Sequence, residues 1–294
     1  MALNNQNFIK WGLFSLALLV LLRLPFLSQP LVGEEGNFAM IVTGYDGPNI
    51  PSTKTGLARE IDRNCLLVIG RIDEQGDTLA RPGRNIVPYC FLGLVIKPAV
   101  SKIDVKEFSF DEKSILIRAV FLFLSCFGFI SLTILSCLVA KKLPKSQVIF
   151  PFLILFYFTT NHLALGASIQ PQLDGAFGFL LLANSMLFAY LGSQKESRLF
   201  LRFLLNFLAG FLVAFCKNEW PLTFLASIFF VLAIHFVLSI VAPSKYRANL
   251  FKSSSEKYLI CLALFLGCIA GMGICYAFSP SDYMAGFGLM KGIH

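Results

Sequence analysis

Two adjacent carboxylates, Glu34 and Glu35, are the residues of this sequence best placed for acid–base chemistry. They come a few residues after a long apolar stretch and directly after Gly33. In such a pair, one carboxylate can act as a general base while the other supports it. Carboxylates also complement the dipole at the start of a surface helix, and spacing alone favours this simpler interpretation.

Two further positions are candidates for contact with a polar or anionic ligand. Asp174 opens the fourth apolar stretch, where it is either a helix-terminal carboxylate or a substrate contact. Lys217 lies two residues before Glu219 in a tight turn. The two side chains either form a solvated pair, or the lysine binds a phosphate as a compact point charge.

Three arginines complete the set of candidate residues. Arg81 and Arg84 come shortly before an apolar segment that can lie on the membrane surface. A phosphate at that level could be bound there, because one guanidinium group can bond two phosphate oxygens at once. Anionic lipid headgroups are an equally good partner for these two residues. Arg23 lies near the end of the first apolar stretch, where its side chain either faces the protein interior or snorkels to the membrane interface, and its position favours snorkelling.

The cysteines and histidines offer no metal-ligand spacing. Six cysteines in or beside apolar stretches are expected to be packing residues: Cys126, Cys137, Cys216, Cys261, Cys268 and Cys275. Cys65 and Cys90 lie in a polar segment and can pair if their compartment is oxidising. His162 and His235 are isolated, so neither is assigned a metal.

The composition shows which elements must position these side chains. Of the 294 residues, 56% are hydrophobic and only 14% are charged. The mean hydropathy is +0.71. Soluble domains carry about 25% charged residues, so a water-soluble enzyme, a disordered chain and a nucleic-acid-binding protein are all excluded.

Seven apolar stretches approach the roughly 20 residues that a helix needs to cross the hydrocarbon of a membrane. They are 8–27, 115–140, 148–165, 175–191, 200–216, 221–241 and 258–278. Arg23-Leu24-Pro25 stands where a signal peptide would have small residues, so the first stretch is predicted to be an uncleaved helix. The fold class predicted is an all-α membrane protein of about seven transmembrane helices.

The net charge of +8 orients this bundle. With the N-terminus in the cytoplasm, the inner segments are the N-terminal tail, 141–147, 192–199 with Arg202 just beyond, and 242–257. Together with Lys10 near the start of the first stretch, these segments carry eleven basic residues against two acidic ones, which is the positive-inside pattern of a multi-pass protein in the cell membrane.

Residues 28–113 form a long polar excursion on the opposite, extracytoplasmic side. They contain twelve acidic and ten basic residues. Within them, 37–42 and 89–95 are apolar enough to form short helices on the membrane surface. With no internal repeat, 1–294 is predicted to be one membrane domain.

Several of these motifs together resemble the GT-C superfamily of membrane glycosyltransferases, in particular its protein O-mannosyltransferase and aminoarabinose transferase branches. The resembling motifs are Arg23-Leu24-Pro25, Pro30, Glu34-Glu35-Gly36-Asn37-Phe38-Ala39, Arg81-Pro82-Gly83 through Pro88-Tyr89, Gln172-Leu173-Asp174, and 210–217. The long first outer loop and the seven-helix topology also resemble that superfamily.

The resemblance implies an enzyme that transfers a hexosyl or pentosyl group from a polyprenyl-phosphate donor to an acceptor, with inversion, on the extracytoplasmic side. Glu34 takes the position of the catalytic base and Glu35 the supporting position. The superfamily pair is usually Asp-Glu, so Glu35 is the alternative base. Arg81, Arg84, Asp174 and Lys217 are the expected substrate-binding residues, and basic side chains would hold the carrier phosphate.

Two other functions remain open. A transporter or flippase of a lipid-linked substrate would place ionisable groups near the bilayer midplane in repeated halves, whereas here the polar groups cluster at one boundary. A non-catalytic subunit of a glycosyltransferase complex is the third possibility. The chain ends shortly after the seventh stretch, so a minimal form, a fragment and one half of a two-chain enzyme are all compatible with the sequence.

No cofactor is expected. The sequence leaves open whether a divalent metal is needed, which sugar is transferred and which acceptor receives it.

Overall fold

Apolar helices make up most of the computed structural model, which describes residues 5–29, 70–72, 78–80, 110–144, 149–161, 169, 173–194, 198–216, 219–241 and 254–278. The helices within these ranges are α1 (Asn5–Arg23), α2 (Phe110–Ala140), α3 (Phe150–Thr160), α4 (Gly178–Gly192), α5 (Leu199–Ala214), α6 (Glu219–Val241) and α7 (Ser254–Phe278). A short 3₁₀ turn, Leu24–Phe26, follows α1, and a π-helical turn, Leu173–Phe177, precedes α4.

A helix occurs at each of the seven positions predicted from the apolar stretches. Four are long and apolar enough to cross a membrane, judged by length and composition alone: Ile115–Ala140, Gly175–Gly192, Trp220–Leu238 and Glu256–Ala277. Helices α3 and α5 are apolar but shorter, with 11 and 16 residues. The fold is therefore that of a helical protein with several potential membrane spans.

Local sequence explains where the helices begin. Pro151 and Pro221 both lie in the first turn of their helices, where the backbone N–H that proline lacks would have no helical partner. Between their first and last turns, the helices satisfy their backbone groups inside the segment, which is the arrangement that hydrocarbon requires. Many large apolar side chains of α6 face outward, among them Phe229, Phe230 and Phe236.

Consecutive helices run in opposite directions, so the bundle has two ends. At one, the last residue of α1 reaches Thr159 near the end of α3, and we call this the Arg23 end. At the other, Arg202 near the start of α5 reaches the last residue of α4, and we call this the Arg202 end. The Tyr190 hydroxyl donates to Leu138 O at 3.2 Å, which also places the ends of α2 and α4 together.

Helices α5 and α7 approach so closely that their backbones touch. A Cβ on Gly210 would lie against the Leu264 carbonyl, and one on Gly267 would lie against the Phe207 carbonyl, both well inside contact distance. Small residues at a helix crossing permit this approach in membranes, where packing and weak Cα–H···O contacts hold helices together.

The polar segment 28–113 contains a short antiparallel pair of strands that the sequence analysis did not predict. Strand β1 (Gly70–Ile72) pairs with β2 (Thr78–Ala80) in the register Arg71↔Leu79. The surface helices predicted at 37–42 and 89–95 lie outside the described residues, as do Cys65 and Cys90.

Candidate functional site

Most of the predicted site residues lie outside the described part of the chain. These are Glu34, Glu35, Arg81, Arg84 and Lys217. The backbone of Asp174 is described, in the π-helical turn before α4, but its side chain is not. Gly175 departs from helical torsion angles there (φ −84°, ψ −126°), so the chain is kinked where the predicted substrate contact enters the bundle.

Arg23 corrects one expectation, because its side chain does not snorkel to the surface. It is fully buried, with 0% exposure. Its Nη1 donates to Leu19 O at 2.9 Å and to Thr159 O at 3.3 Å, in addition to further interactions. Carbonyl groups at helix ends lack helical partners and carry partial negative charge, so a buried cation is stabilised between the ends of α1 and α3.

Arg118, in the third turn of α2, forms a second buried contact point at the same end. It is 4% exposed. Its Nε donates to Gln29 O at 3.2 Å, and its Nη1 lies 3.5 Å from Ile169 O, again besides further interactions. Arg118 therefore joins the segment that follows α1 to the segment that precedes α4.

An apolar cluster beside Arg118 contains residues that are close in sequence to two more predicted site residues, Asp174 and Lys217. It includes Ile117 and Phe121 of α2, and Ala176 and Phe177, which follow Asp174. Cys216 belongs to the same cluster, and Trp220 packs against it. These last two residues flank the turn that contains Lys217. The structure thus brings the flanks of three separate site segments to the start of α2.

The chemical character of this end follows from its contacts. Both guanidinium groups donate to backbone carbonyls, so these contacts fix the course of the chain. A second apolar cluster on the interior side of these contacts includes Leu19, Phe129, Leu155 and Ile169. The Arg23 end of the bundle is therefore packed with apolar side chains, and the polar segment 28–113 begins and ends there.

A third buried arginine, Arg202, organises the opposite end. Its Nε lies 3.4 Å from Gly192 O, and its Nη2 lies 3.3 Å from Glu256 Oε2. Asn206, with 0% exposure, donates to Arg202 O at 2.8 Å. Its Oδ1 accepts no hydrogen bond from the described residues. Arg202 therefore joins α4, α5 and α7.

His235 and three buried cysteines make packing contacts inside the bundle. His235 meets the ring of Tyr258 edge-on, with 5.8 Å between ring centroids. Cys216, Cys268 and Cys275 are buried, which agrees with the packing role expected for them. Within the described ranges, no group of three histidine, cysteine or acidic residues is arranged to hold a metal ion.

Sequence reasoning did not identify Arg118 or Arg202 as organising residues. It did not single out Arg118, and it counted Arg202 only among the basic residues of the inner segments. A cation within an apolar helix is the signal that identifies both, since such residues usually face the bundle interior. Their partners are carbonyl groups distant in sequence, and no residue type marks those.

The chain matches no family of known proteins, no curated protein and no solved structure.

Proposed function

We propose that this protein is a multi-pass membrane glycosyltransferase that moves a sugar from a polyprenyl-phosphate donor to an acceptor on the extracytoplasmic side. All seven apolar stretches would cross the cell membrane, with the Arg23 end outward and the N-terminus in the cytoplasm. Glu34 would be the general base, supported by Glu35.

The observation that carries this proposal is the convergence of site segments at the start of α2. Arg118 bonds to Gln29, five residues before Glu34, and lies next to Ile169, five residues before Asp174. The neighbours of Lys217 pack in the cluster that contains Ile117. Segments far apart in sequence, each with a residue suited to sugar or phosphate chemistry, therefore leave the bundle from one place.

The reaction needs one base and one leaving group. Glu34 would take the proton of the acceptor hydroxyl as that oxygen attacks the anomeric carbon of the sugar. The new carbon–oxygen bond would form on the face opposite the carrier. The bond to the carrier phosphate would break, and its electron pair would leave with the polyprenyl phosphate. Inversion at the anomeric carbon follows from this single displacement.

Basic side chains would stabilise the departing phosphate. Arg81 and Arg84 suit it because guanidinium groups bind phosphate oxygens in pairs, and Lys217 suits it as a compact charge. Asp174 would bind a sugar hydroxyl. The two apolar clusters fill the bundle next to the Arg23 end. Polar substrates are therefore expected to bind outside these clusters, at the membrane boundary, and this supports a reaction site at the Arg23 end.

The test is transfer by the full chain in lipid nanodiscs. Radiolabelled polyprenyl-phosphate sugars are supplied together with a membrane extract of the native cells as a source of acceptors. The wild-type chain is expected to consume at least one donor and release the polyprenyl phosphate. A double variant, Glu34→Gln with Glu35→Gln, is expected to bind the donor but not consume it.

A matched control replaces two other acidic residues of the same excursion, Glu60→Gln with Glu107→Gln, and is expected to retain transfer. Transfer that survives loss of both Glu34 and Glu35 would overturn the assignment of the base. Binding of the carrier lipid without consumption by any variant would instead identify a transporter or a subunit that needs a catalytic partner.

A further inference from the structure

We draw no further inference here: the strongest candidate, the column of half-buried phenylalanine rings that runs along α5 from Phe203 to Phe215 and reaches the apolar cluster beside Arg118, carries nothing, because it is an apolar helix face and nothing in the structure shows what would cover it.

Discussion

Buried arginines hold both ends of this bundle, and each of them donates to backbone carbonyl groups. Arg23 and Arg118 reach the carbonyls of Thr159 and Gln29, and Arg202 reaches that of Gly192. A cation at the centre of a membrane helix costs about 2.5–3.5 kcal/mol on insertion scales. Partial negative charge at helix ends offsets part of this cost. The same residue type thus serves as an interhelical clamp at each end.

The Arg202–Glu256 pair is a test of how buried charge affects stability. The Arg202 side chain is 9% exposed and the Glu256 side chain is 49% exposed. We expect Glu256→Gln to lower the melting temperature in detergent more than Arg202→Met does. The first variant leaves a buried cation without its carboxylate, whereas the second leaves a carboxylate that water can reach.

The loss in Glu256→Gln should be smaller than the roughly 3–5 kcal/mol typical of a fully buried pair, because Glu256 is half exposed. The double variant Arg202→Met, Glu256→Gln should melt close to Arg202→Met alone. Arg198→Gln, an exposed arginine nearby, serves as the control and should be neutral. A larger loss in Arg202→Met than in Glu256→Gln would contradict this explanation.

Helix packing depends on close backbone contact more than on polar bonds. At the α5–α7 crossing, Gly210 and Gly267 each face a carbonyl of the other helix. At the α4–α5 crossing, Ser185 Oγ donates to Ala209 O at 2.8 Å. Overpacking in a core costs about 1–3 kcal/mol, while interhelical hydrogen bonds in membranes average about 0.6 kcal/mol.

Gly210→Ala and Gly267→Ala are therefore expected to destabilise the protein by about 1–3 kcal/mol each, because the added methyl forces α5 and α7 apart. Thermal melting in detergent measures this. Gly273→Ala is the matched control on α7, since a Cβ there meets nothing within 4 Å. It should be neutral or slightly stabilising. Equal losses in all three variants would show that the close crossing is not the cause.

Ser185→Ala should cost less than about 1 kcal/mol, because its hydrogen bond is one of the weak interhelical kind. The same melting experiment compares it with Gly210→Ala, which changes the adjacent helix α5. A loss from Ser185→Ala that exceeds the loss from Gly210→Ala would mean that polar bonds dominate this interface.

The positions of the helices could be predicted because apolar length alone selects them. The seventh stretch, predicted at 258–278, forms α7 at Ser254–Phe278. The burial of the Arg23 side chain could not be predicted, because the carbonyl group that it bonds, Thr159 O, lies 136 residues away in sequence. The β1–β2 pair was missed because each strand has only three residues within a polar segment.

Across the complete bundle, the two ends differ in the charge of the segments that leave them. Lys142, Arg202 and Lys257 lie at the Arg202 end, where Lys142 donates to Gln194 and lies 5.7 Å from the centre of the Tyr190 ring. The polar excursion leaves from the Arg23 end. This asymmetry supports the proposed orientation, with the Arg202 end in the cytoplasm.

That orientation can be tested with two exposed serines at opposite ends. Ser28→Cys and Ser193→Cys are introduced singly into a chain whose eight native cysteines are replaced by alanine. A membrane-impermeant thiol reagent added to intact cells should label Ser28→Cys and spare Ser193→Cys until the cells are opened. The reverse labelling pattern would invert the topology and place the excursion 28–113 in the cytoplasm.

The most direct test of the glycosyltransferase proposal is a single-turnover measurement with the wild-type chain. Protein in nanodiscs is mixed with a smaller amount of radiolabelled polyprenyl-phosphate sugar and a native membrane extract, and free polyprenyl phosphate is quantified over time. The proposal predicts release of one polyprenyl phosphate for each sugar transferred, and none with Glu34→Gln, Glu35→Gln. Donor that stays intact on the wild-type protein, across all sugars tested, would contradict it.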